Sequence, residues 1–84
     1  MVNNLTAQRE SLEIYEKLGD LRGLGNARLS LGDLLVKQGE IEAAKELYEQ
    51  AKTDTEKDGK VIDPDIYRLA VERLTKLQIP PIQS

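Results

Sequence analysis

Apolar residues recur along the chain at the three- and four-residue steps of an amphipathic helix, and glycine or proline punctuates the runs. Leu5, Leu12, Tyr15 and Leu18 share one stripe, predicting a first helix from about Leu5 to Leu18. Asn3 or Asn4 can cap its start, and Gly19 can close its end. The second stretch, about Leu24 to Gln38, is apolar over a wide arc: Leu24, Ala27, Leu31, Leu34 and Leu35. An arc that wide predicts neighbours on more than one side. A third helix begins near Glu40, carries Ala43, Ala44, Leu47, Tyr48 and Ala51, and ends before Gly59. A fourth starts at Pro64 behind the cap Asp63, carries Ile66, Tyr67, Ala70, Val71, Leu74 and Leu77, and stops at Pro80-Pro81. Ile79 to Ser84 reads as a short extended tail. The expectation is an all-α fold of about four helices with no strand.

Within this pattern one spacing carries more information than the rest. Arg28-x-x-Leu31-Gly32-x-x-Leu35 is followed by Gly39 and then by Ala44-x-x-x-Tyr48-x-x-Ala51. Small residues at Gly32 and Ala44 let two antiparallel helices approach, while Leu31, Leu35 and Tyr48 fill the space around them. Gly39 supplies the positive φ that turns the chain back. This arrangement resembles a tetratricopeptide repeat (TPR). A shift of 40 residues supports it, pairing Glu16-Lys17-x-Gly19 with Glu56-Lys57-x-Gly59, Arg28-Leu29 with Arg68-Leu69, and Leu34 with Leu74. Leu12 to Gly23 looks like the longer-period variant of kinesin light chains and large bacterial signalling proteins.

The resemblance implies an antiparallel helix-turn-helix solenoid. Residues 5–19 would form a half repeat, 24–58 a complete repeat and 64–78 a capping helix, with 80–84 as a tail. Three departures stand out. Arg28 takes a place where the family often has Trp, Glu56 one where many repeats have Pro, and Glu72 the place equivalent to Gly32. The implied function is a non-catalytic scaffold or adaptor that binds a peptide or helix of a partner protein. Its concave stripe on the second helix would be Asn26, Leu29, Ser30, Asp33, Val36 and Lys37. Several TPR proteins hold a C-terminal carboxylate with Lys and Asn on this stripe. Leu29 and Asp33 stand at those places here, so that mode of binding is not expected. The same stripe also fits a merely solvated helix face.

Composition removes several other classes. A net charge of −3, with cations scattered among carboxylates, argues against nucleic acid as a partner. Cysteine and histidine are both absent. Disulfides, thiolate metal sites and the commonest general base are therefore excluded. Ser11 and Ser30 lie on helix faces and not in the sharp glycine-rich turns a nucleophile needs. Gly23-Leu24-Gly25 lacks a preceding strand and reads as an interhelix turn, not a phosphate cradle. No enzyme and no cofactor are expected. No apolar run approaches the roughly 20 residues that span a bilayer. Without a membrane segment or a signal-like N-terminus, the expected location is cytoplasmic.

Two further features stay open at this level. Asp54, Glu56, Asp58 and Asp65 occupy positions of a calcium loop of the EF-hand or dockerin kind, with Gly59 at its turn. Against it, Thr53, Gln50 and Glu49 stand where a flanking EF-hand helix is apolar, so no metal is expected and calcium remains the alternative. The first helix, with Leu5, Leu12, Ile14, Tyr15 and Leu18, is too apolar for one neighbour to cover. Self-association as a homodimer through that helix is therefore expected. A purely structural, self-assembling helical module is a third reading.

Overall fold

A computed structural model describes residues 4–78, with side chains from Thr6 to Leu77. Four helices run in order: α1 Asn4–Leu18, α2 Leu21–Lys37, α3 Ile41–Asp54 and α4 Pro64–Gln78. Between α3 and α4 lies a small antiparallel hairpin, β1 Glu56–Lys57 and β2 Lys60–Val61. The all-α expectation holds, with this hairpin as the departure from it. The Asn3 cap, the side chain of Leu5 and the tail from Ile79 to Ser84 lie outside the described residues.

Each helix end has a local cause. Beyond α2, the Gly39 amide donates to the Val36 carbonyl at 3.0 Å and the Glu40 amide to Leu35 at 2.8 Å. This paired closure places Gly39 at φ 82°, where an L side chain would be strained. The end of α1 closes the same way, through Gly19 onto Glu16 and Asp20 onto Tyr15. Asp20 then caps α2 at once, its carboxylate accepting from the Gly23 amide at 2.9 Å. The second helix therefore begins at Leu21, not Leu24. Gly23 and Gly25 lie in its opening turns and are not an interhelix turn. Their lack of a side chain leaves room for Tyr15 and Ile66, which a Cβ would meet at 2.7 and 2.6 Å.

The third helix ends at Asp54, before Gly59 as expected. Thr55 is fully buried there, its hydroxyl donating to the Ala51 carbonyl at 3.0 Å and to Lys52 at 2.9 Å. The Thr55 carbonyl accepts from the Ile62 amide at 2.7 Å, closing the base of the hairpin. Asp58 and Gly59 form its tip at φ 53° and 77°, the conformation that Asp-Gly favours in a two-residue turn. Asp63 caps α4 as expected, accepting from the Ile66 amide at 3.4 Å.

Consecutive helices pack against each other, most extensively α2 with α3, then α3 with α4 and α1 with α2. One edge of α2 also reaches α4. The core holds Leu29, Leu31 and Leu35 of α2, Ala44, Tyr48 and Ala51 of α3, and Ile66 and Ala70 of α4. At Gly32 a Cβ would lie 2.5 Å from Cε1 of Tyr48, so glycine there sets the α2–α3 separation. The result is a thin slab, 44 × 42 × 16 Å. No helix among the described residues is long and apolar enough to cross a membrane.

Candidate functional site

One row of α2 runs from Gly25 through Leu29 and Asp33 to Val36 and Lys37, at steps of three and four. Its lower part is closed. Gly25 abuts Ile66, and Leu29 is only 3% exposed, in the same buried cluster as Ile66 and Ala70. Leu29 therefore belongs to the core and not to a binding stripe, which corrects its expected place on the concave face. The reason is that α4 folds across this part of α2 and takes it out of solvent.

Higher on the row the two helices flank an opening. They leave a groove of about 500 Å³ whose lining includes Asp33, Val36 and Lys37 of α2 with Leu69, Arg73 and Leu77 of α4. Glu72 and Lys76 stand beside them, and Tyr48 of α3 reaches in from below. Three of the six predicted stripe residues are thus brought together. Asn26 and Ser30 are exposed but do not line this groove.

A polar network crosses the centre. The Arg73 guanidinium meets Asp33 with two bonds, Nε to Oδ1 at 2.8 Å and Nη2 to Oδ2 at 3.1 Å. The Tyr48 hydroxyl donates to Asp33 Oδ1 at 2.6 Å. One carboxylate therefore ties three helices together, in the bidentate geometry that makes Arg pairs directional. Partial burial would push the Asp33 carboxyl up, but hydrogen bonds from Arg73 and Tyr48 and the charges of Arg73 and Lys37 outweigh it and hold Asp33 below its ordinary value. For Tyr48, burial and then the bond and charge of Asp33 push the phenol well above its ordinary range. For Arg73, the Asp33 bond raises the pKa although burial opposes it.

Asp33 and Arg73 stand 40 residues apart, the same offset that relates the other matched segments. The offset was the available signal for the α4 half of the groove. Glu72, Arg73 and Lys76 read by themselves as the mixed charges of a solvated face.

The remaining candidates lie elsewhere. Arg28 has its side chain 13% exposed and pairs with Asp54 across α2 and α3. Burial lowers its pKa, with Glu16 opposing. Three of the four calcium-loop carboxylates are engaged apart from one another. Asp54 is with Arg28, Asp65 is with Arg22 at 3.3 Å, and Glu56 is with Lys52 at 3.7 Å. Among the described residues no three acidic side chains converge on a metal-sized site. On α1, Leu12 packs against the core and Tyr15 against Gly23, while Ile14 and Leu18 are 56% and 72% exposed. Leu21, at the start of α2, is a further exposed apolar residue near Leu18 in sequence.

Comparison with protein-family models, with curated proteins and with solved structures found no match.

Proposed function

We propose that this chain is a non-catalytic protein–protein interaction module of the tetratricopeptide type, holding a partner's peptide or helix between α2 and α4. The observation that carries the reading is the groove itself. It combines an apolar floor of Val36, Leu69 and Leu77 with charged residues at its centre and rim. The succession of α2, α3 and α4, in which the first and third meet along one edge, is the packing that stacked helix pairs would have. Glycine at the α2–α3 contact and the Gly39 closure suit the same motif.

Selection of binders from a random peptide library tests this. Peptides that bind the wild type should lose most of their affinity for Leu69→Glu, which sets a charge on the groove floor. Peptides that bind both proteins equally would place recognition elsewhere and defeat the reading.

A second interaction is favoured by Ile14, Leu18 and Leu21, an exposed apolar series at the junction of α1 and α2. We infer that it supports self-association into a homodimer. Light scattering over a concentration series should show a dimer that Leu18→Lys returns to monomer. A wild type that stays monomeric at tens of micromolar contradicts it.

A further inference from the structure

The groove lies on a chain of net charge −3, yet its lining carries three cations, Lys37, Arg73 and Lys76, against two carboxylates, Asp33 and Glu72. Its charge is thus opposite to that of the chain as a whole. Arg73 is the central cation, and its guanidinium fork is already filled by Asp33 through two bonds. A carboxylate presented two-pronged to Arg73 is the arrangement an acidic ligand would itself adopt. Asp33 is also not locked in place by burial, since its side chain is 43% exposed and that of Arg73 30%.

We propose that Asp33 is an internal stand-in for an acidic ligand, and that the groove takes a peptide alternating carboxylate and apolar side chains by exchanging Asp33 for the ligand carboxylate on Arg73. The proposal rests on the groove being the binding site and adds the class of ligand and the residue that restrains it. In the exchange no covalent bond changes. Arg73 turns its fork to the incoming carboxylate, while Asp33 keeps the Tyr48 hydroxyl and the nearby charge of Lys37. Apolar side chains of the ligand settle on Val36, Leu69 and Leu77, and Lys76 meets a further carboxylate at the rim. Asp33 thereby weakens binding twice, by occupying Arg73 and by repelling the arriving anion.

The probe is a fluorescent peptide of alternating leucine and glutamate, with a leucine–glutamine peptide as its neutral counterpart. Asp33→Asn keeps the side-chain shape and removes the charge, so it should bind the glutamate peptide about tenfold more tightly than the wild type does. It should gain nothing for the glutamine peptide. The gain should shrink as salt is added, and Arg73→Gln in the Asp33→Asn background should abolish it. Circular dichroism verifies that each variant is folded, and Asp33→Ser repeats the test where the asparagine variant is not.

Equal affinity of Asp33→Asn and wild type for the glutamate peptide, or an equal gain for both peptides, overturns the stand-in role. Leu69→Glu separates that failure from a failure of the groove. If it abolishes binding while Asp33→Asn changes nothing, the groove stands and the stand-in falls. If it leaves binding intact, or if neither peptide binds any folded variant, both fall.

Discussion

The two outer helices, α1 and α4, have the same length of 15 residues but are held in different ways. From α4, Ile66 and Ala70 enter the core at 1% and 0% exposure. From α1 none of the described side chains is fully buried, and its contribution to the core is the partly buried Leu12. The difference is one of neighbours. An outer helix that touches two others has a seam to fill, and α4 lies against α3 and the edge of α2. Charged ties from α2 add to this, Arg73 to Asp33 and Arg22 to Asp63 and Asp65. The Arg22 pairs are largely exposed and add little on their own. By contrast, α1 packs mainly along α2 and leaves Ile14 and Leu18 to solvent. The lesson is that apolar content alone does not set burial; the number of surfaces a helix is offered does.

The largest expected effect sharpens that contrast. Ile66→Ala removes a fully buried branched side chain from the α2–α4 seam and should cost about 2–5 kcal/mol. Leu12→Ala, at its partly buried counterpart on α1, should cost less than half as much. Equal losses in urea denaturation would erase the distinction.

Next in size is the close approach between the central helices. Gly32→Leu must displace the buried Tyr48 ring and should cost about 1–3 kcal/mol by overpacking. The exposed Glu42→Ala should stay within about 0.5 kcal/mol of wild type. Matching melting temperatures for the two would mean that the register of α2 on α3 is wrong.

A smaller effect concerns the Asp33–Arg73 pair that joins α4 to α2. Because the folded state holds Asp33 below its ordinary pKa, its contribution to stability is complete above the unfolded value of about 3.9. It is lost as pH falls through the lower folded value. The stability difference between wild type and Asp33→Asn should therefore be present at neutral pH and vanish in strong acid. A difference that does not change with pH would show that the carboxylate charge is not what binds α4. The smallest effect is expected at Leu18→Lys, whose wild-type side chain is mostly exposed. It should leave monomer stability within about 0.5 kcal/mol, measured by thermal unfolding under dilute conditions. A larger loss would mean that Leu18 packs within its own chain.

Much of the architecture is legible along the chain, for reasons that can be named. Helical periodicity marks all four helices, and the close approach at Gly32 and the Gly39 turn follow from spacing and side-chain size, although the Tyr48 ring, and not Ala44, is what meets Gly32. Local chemistry that competes with periodicity is harder to see. Gly23 and Gly25 suggest a break, but Asp20 starts α2 upstream of them and neighbouring side chains need their space. The acidic run from Asp54 to Asp65 suggests a ligand loop and draws attention from Asp58-Gly59, whose positive-φ preference makes the hairpin. For the site, residues on α2 are legible as one row. Which part of that row α4 would cover depends on how two helices cross, and no single-helix pattern contains that angle. Leu29 is lost to the core for this reason, and Arg73 becomes visible once the 40-residue offset is taken to place it opposite Asp33.

Packed against α3 and the edge of α2, α4 is as firmly part of the unit as they are, which gives the groove between α2 and α4 two stable walls. Amide hydrogen exchange resolved by residue measures this directly. Core amides of α2, α3 and α4 should exchange together, at the free energy of global unfolding, while those of α1 exchange faster through local opening. Faster exchange in α4 than in α1 would contradict it, because the groove would then lack its second wall.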